Sequence, residues 1–216
     1  MTPKERIPKP SKSQVQTPAE GSDGVADALL TAARQIFETG GLPALTVRRV
    51  AIAAGCTTMQ VYSRYNGKNG LLQALFDEGF TALANAQQSV PHSLPAAERV
   101  RQLCREYLRI ASEKPSHYAL MLGAHSGDFQ PVKESGERAM ATLSNLIEAV
   151  ARALPQTSNQ DARAKDVAHQ ILALCHGWAM LSATPLVDGT RPEVIDQAIS
   201  SLLDSNSMYP TKLDTP

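Results

Sequence analysis

Cysteine is scarce in this 216-residue chain: Cys56, Cys104 and Cys175 are the only three, and they lie far apart. So few thiols exclude a disulfide framework and suit a reducing interior. Long apolar runs are missing as well. None approaches the roughly 18 residues needed to span a bilayer, and no charged n-region with an apolar h-region opens the chain. A cytoplasmic protein without a membrane partner is therefore expected. Net charge is absent, with 21 Lys+Arg against 21 Asp+Glu. Aromatics reach only 5%, yet an apolar fraction of 43% argues against wholesale disorder in a chain long enough to bury a core. By its total charge the chain is a poor candidate for nucleic acid, but the distribution of charge matters more than the sum.

Apolar residues are almost absent from the first two dozen positions. Pro3, Pro8, Pro10 and Pro18 interrupt Lys, Ser, Thr and Gln, and Pro disfavours helix at the residue before it. Residues 1–23 read as a disordered arm carrying Lys4, Arg6, Lys9 and Lys12. Such an arm is either a solvated tail or a basic segment that follows a DNA groove.

From Val25 the spacing is helical. Val25, Leu29, Ala32, Ala33, Ile36 and Phe37 form one stripe, and Gly40-Gly41 supplies a helix end. Thr46 caps a second helix that Gly55 breaks, a third runs from about Thr57 to Arg64, and a fourth starts at Lys68. Helices are then expected over 94–112, 115–123, 132–154 and 161–183. A last one opens at Thr190-Arg191-Pro192-Glu193, which reads as a capping box. No run alternates long enough to demand a strand, so the expectation is an all-α chain of about nine helices.

Acidic residues are missing altogether between Glu38 and Asp77, a stretch that holds Arg48, Arg49, Arg64 and Lys68. The gap coincides with two short helices joined by Ala54-Gly55-Cys56-Thr57. A short helix, a tight Gly-containing turn and a second short helix make the helix-turn-helix layout, in which the second helix enters the major groove. Thr57, Thr58, Gln60 and Ser63 are hydrogen-bonding groups suited to base edges, and Met59 to the thymine methyl. Tyr62, Arg64 and Lys68 extend a rim suited to phosphate, as does Thr46 at a helix start.

Residues 25–76 resemble the N-terminal domain of the TetR family of transcriptional regulators. The matching features are Ala32-Ala33, Ile36-Phe37, Gly40-Gly41, Leu45-Thr46-Val47, Val50-Ala51, Ala54-Gly55, Val61-Tyr62, Tyr65, Lys68 and Leu71-Leu72, spaced without a gap. The resemblance implies a homodimer that binds a two-fold double-stranded DNA operator and is released by a small-molecule effector. Thr46, Tyr62 and Lys68 correspond to the family's phosphate contacts, and Thr57 to Gln60 to its base readers. The chain departs from the usual pattern at Arg49, Thr58, Met59, Tyr65-Asn66, Asn69 and Gly70. The division implied is a reading head over 24–72, a ligand-binding and dimerisation domain over 73–206, and a flexible tail over 207–216.

The C-terminal half, with Tyr118 to Gly123 and His176-Gly177, resembles a subgroup named for a Trp/His-Gly motif, although Trp178 follows the pair and Leu172 stands where a Trp is expected. Tyr107, Met121, Leu146, Leu174 and Trp178 could line an apolar cavity, with Cys104, His125 and His176 as polar handles, or could be plain core. Gly177 inside a helix points to close helix approach. No ligand spacing suggests a metal and no phosphate-binding glycine loop a cofactor. Asp161 and Asp166 with His169 lack a nucleophile, which argues against an enzyme. The reading is a ligand-responsive repressor; the alternative is a helical small-molecule binding protein without operator function.

Overall fold

The computed structural model describes residues 22–122, 129–185 and 191–208. The arm up to Gly21, the segment with Gly123 and His125, Thr190 of the expected capping box, and the tail from Tyr209 lie outside the described residues. Within them there are nine α-helices and no strand. The expected all-α class is therefore the observed one.

Helix α1 (Ser22–Ala44) buries Leu29, Ala32, Ala33 and Phe37. It kinks at Gly41 (φ 62°, ψ −164°), a conformation only glycine adopts without strain, so the glycine pair does end the regular helix. Helix α2 (Val47–Ala53) starts at the Thr46 cap, whose hydroxyl accepts from the Arg49 amide at 3.3 Å. Gly55 (φ 64°) makes the turn into α3 (Thr58–Tyr65), which packs on α1, α2 and α4 with Val61 fully buried. Asn66 (φ 53°) and Gly67 (φ 87°) then reverse the chain into α4 (Lys68–Gln88).

Helices α5 (Ala96–Glu113), α6 (Pro115–Leu122), α7 (Lys133–Ala153), α8 (Gln160–Ser182) and α9 (Pro192–Met208) form the second half. Helix α4 packs on α1 and α3 and also on α5, α6 and α7, so one rod serves both halves. Its outer side is pinned to the start of α7. Gln73 accepts from the Val132 amide at 3.0 Å, while Ser135 accepts from Gln73 and donates to Asp77, both at 2.6 Å.

Gly70 and Gly79 are placed by contact rather than by turn geometry. A methyl at Gly70 would collide with the Tyr65 carbonyl, and one at Gly79 with the Met121 side chain. The close approach expected at Gly177 is not there: apart from its chain neighbours and the backbone of its own helix turn, no described atom lies within 4 Å of where its Cβ would stand. Gly177 faces away from its own chain's packing, so a neighbouring helix of the chain is not what excludes a side chain.

Candidate nucleic-acid interface and interior cavities

The acid-free stretch folds into one continuous face. Arg48, Arg49, Thr57, Thr58, Met59, Tyr62, Ser63 and Arg64 are all exposed, as is Thr46, while Gln60 and Lys68 are half-buried. The cap at Thr57 orders the start of the reading helix. Its hydroxyl accepts from the Gln60 amide at 3.3 Å and its own amide donates to the Gln60 side-chain oxygen at 2.8 Å. Ser63 donates to the Gln60 carbonyl at 3.1 Å. Tyr62 is 57% exposed, with its ring edge over Gly67. Asn66 and Gly67 let the chain turn so sharply that Lys68, at the start of α4, stands beside that ring's helix. With no carboxylate between Glu38 and Asp77, the surface is net positive, and the charges sit where α2, α3 and α4 begin or end.

One residue of this face escaped the sequence reading. Ile52 is 70% exposed, one turn beyond Arg48 and Arg49 on α2. The spacing from those two arginines was the available signal, since i+3 and i+4 share a helix face. Its apolar side chain therefore shares the helix face that carries the two cations.

The face is tied to the second half by a charged cluster that no local pattern announces. Arg34 of α1 grips the Glu78 carboxylate of α4 through two of its nitrogens, and His117 of α6 stands 3.6 Å from the same carboxylate. Burial pushes the Glu78 carboxyl up, but hydrogen bonds from His117 and Arg34 outweigh it and hold the pKa at about 2. His117 is almost wholly buried and packs edge-on against Phe37, 5.4 Å between ring centres.

Hollows lie on both sides of α5 in the second half. The first, about 200 Å³, lies between α4, α5, α7 and α8. Phe80, Leu83, Leu103, Leu146 and Leu172 give it an apolar wall, and Gln87, Cys104, Tyr107, Thr142 and Cys175 supply the polar atoms. The second, about 600 Å³, is on the far side of α5 and is lined by Arg105, Leu108, Arg109, Trp178 and Ser182. The eight expected pocket residues are thus divided. Cys104, Tyr107 and Leu146 line the first hollow and Trp178 the second. Met121 is buried against Gly79, Leu174 packs on the core, and His125 is outside the described residues. His176 lines neither hollow: its Nδ1 is 2.7 Å from the Tyr118 hydroxyl, which is 2.9 Å from that of Tyr107. Burial pushes the phenols of Tyr107 and Tyr118 up, so both stay protonated.

Among the described residues no group of three or more His, Cys, Asp or Glu side chains could hold a metal, and no helix is long and apolar enough to cross a membrane.

A capped short helix, a Gly turn, a second capped helix with its polar side outward, and a cationic rim define a helix-turn-helix DNA-binding regulator. The comparisons give the same class a family. Residues 29–75 match the domain described as "Bacterial regulatory proteins, tetR family", and residues 100–205 match "Tetracyclin repressor-like, C-terminal domain". The chain belongs to the TetR family of transcriptional regulators.

Solved structures share the fold at low identity. A protein of unknown function from Rhodococcus sp. RHA1 is 23% identical, with a TM-score of 0.71, over 90% of this chain and 100% of that one. The TetR family regulator PfmR from Thermus thermophilus is 16% identical, with a TM-score of 0.62, over 82% and 97%. The flavonoid-responsive regulator FrrA is 24% identical, with a TM-score of 0.56, over 84% and 94%. No curated protein matches the chain in sequence.

Proposed function

We propose that this regulator is a repressor, released from a palindromic operator when a small molecule enters the hollow between α4, α5, α7 and α8. The observation that carries this reading is the path of α4. Its first residue, Lys68, belongs to the cationic rim, and Gln87, near its other end, lines the hollow. A ligand that prefers one tilt of α4 over another then has a differential affinity for two placements of the reading helix, which is what release requires.

In this reading 24–72 is the reading head and 73–206 the effector and dimerisation domain. Thr46, Tyr62 and Lys68 hold phosphates with Arg48, Arg49 and Arg64 around them, while Thr57, Thr58, Met59, Gln60 and Ser63 face base edges. The dimer face comprises Met180, Leu181 and Val194, which are 53%, 45% and 40% exposed on α8 and α9. Gly177, one turn before Met180 and Leu181, leaves room on that face for a partner helix.

A gel-shift series with the intergenic DNA upstream of the gene, from low to high salt, tests the reading. Binding that weakens with salt and is lost in a Lys68→Ala plus Tyr62→Phe variant is the expected result. No shift on any DNA at low salt sinks it in favour of a helical binding protein without operator function.

A further inference from the structure

Arg99 is a buried cation without a counter-ion. It is 3% exposed on α5, makes no ion pair among the described residues, and its Nε has no hydrogen-bond partner. Burying a charge this way is costly unless something pairs with it. Its one hydrogen bond leads toward the smaller hollow: Nη2 donates to Asn145 Oδ1 at 3.1 Å, and Asn145 Nδ2 donates to Gln87 Oε1 at 3.3 Å. Gln87 is itself buried, 6% exposed, and lines the hollow.

Each link has a forced direction. Arginine has only donors, so the Asn145 atom facing it must be the oxygen. Asn145 is thereby turned to donate toward Gln87, whose oxygen must accept. The Gln87 Nε2 group remains, a donor on a residue that lines the hollow, with no acceptor among the described residues. Two neutral amides therefore relay the polarity of a buried cation to the wall. The other polar group with a settled direction, Thr142, spends its hydroxyl hydrogen on the Ala139 carbonyl at 2.7 Å and offers no competing donor.

We propose that the small hollow takes compact apolar carboxylates, with the carboxylate oxygen on Gln87 Nε2 and the hydrocarbon against Phe80, Leu103, Leu146 and Leu172. The acid supplies the acceptor that the amide lacks and places a negative charge at the end of the relay that starts from Arg99. Size follows from volume. An apolar cavity of about 150 Å³ holds benzene, so about 200 Å³ suits an acid of roughly eight to ten non-hydrogen atoms. A primary amine is excluded, because it would place a second cation and further donors against a donor. This assignment rests on the reading of the hollow as the effector site.

The test is calorimetric titration of the full-length protein, without DNA, with benzoate, benzyl alcohol and benzylamine, and with hexanoate, hexanol and hexylamine. The acid of at least one series should bind about tenfold or more tighter than its alcohol, with the amine weakest. Gln87→Glu keeps the acceptor for Asn145 but replaces the donor with a negative charge, and should abolish the preference for acid while the alcohol still binds. Gln87→Met, which removes the donor without adding charge, should bring the acid down to the alcohol's level, and serves if the first variant fails to fold. An amine that binds as well as the acid, an acid no better than its alcohol, no binding by any of the six, or an acid preference that survives both substitutions overturns the proposal. A parallel gel shift separates the two readings. Acid that binds without loosening DNA removes the effector role but leaves the ligand class, and release by the alcohol alone does the opposite.

Discussion

Thr57 and Gln60 cap each other at the start of the reading helix, each through its side-chain oxygen accepting the other's backbone amide, at 3.3 and 2.8 Å. The arrangement restricts what Gln60 can read. A bidentate contact with adenine needs both the oxygen and the nitrogen of the amide, and the oxygen is already engaged. Gln60 can offer DNA only the donors of its amide nitrogen for as long as the cap is intact.

Gln60→Glu and Gln60→Ala should therefore separate. The glutamate retains the capping box and should melt within about 1 °C of the parent, while the alanine should lose about 1 kcal/mol, or roughly 2–4 °C in Tm. Both should weaken operator binding. An alanine variant with unchanged Tm would show that the cap contributes nothing.

The Arg34–Glu78–His117 cluster predicts a pH dependence. The Glu78 carboxyl is lowered from 4.5 to about 2, so its contribution to stability is present above pH 4.5 and is lost as pH falls toward 2. Glu78→Gln leaves Arg34 without its partner and should cost about 1–3 kcal/mol at neutral pH. The Tm difference between parent and variant should shrink as the acid is titrated. A constant difference down to pH 2 would contradict the assignment.

Gly70→Ala should be among the most damaging small substitutions in the reading head. The added methyl strikes a backbone carbonyl, that of Tyr65, which has no flexible end to move aside. A loss of about 1–3 kcal/mol is expected, together with weaker DNA binding, because α3 and α4 meet at this corner. Gly177→Ala, with open space around its Cβ, should leave the monomer's fold intact and instead perturb association, as measured by sedimentation.

Removal of a rim cation should change salt dependence rather than sequence preference. Arg49→Ala is expected to lower the slope of log K against log salt by about 1, with the ranking of operator variants unchanged. Altered ranking would move Arg49 from the phosphate side of the interface to the base side.

The reading head was legible because its determinants are local. Thr46 and Thr57 cap the helices that follow them, Gly41 and Gly55 hold the positive φ angles that their positions suggest, and Val61 is the buried side of an otherwise polar helix. The second half was legible as helices but not as a site. Tyr107 and Leu108 are neighbours in sequence yet line different hollows on opposite sides of α5, which helical spacing can suggest but not assign. The Arg99–Asn145–Gln87 relay and the Glu78 cluster join residues up to 58 positions apart, and no periodicity encodes such partners. Gly177 misled for a related reason: a helical glycine reports close approach, and nothing in one chain says by which molecule.

Helix α4 has a mechanical consequence that follows from its length alone. Twenty-one residues at about 1.5 Å each make a rod of roughly 30 Å, with Gln87 near one end and Lys68 at the other. Pivoting by about 5° at the inner end sweeps the outer end through about 2.5 Å, close to a hydrogen-bond length. In the proposed release the rod would be a lever arm: an adjustment in the hollow no larger than a side-chain rearrangement would arrive at the DNA face at the scale of a whole contact.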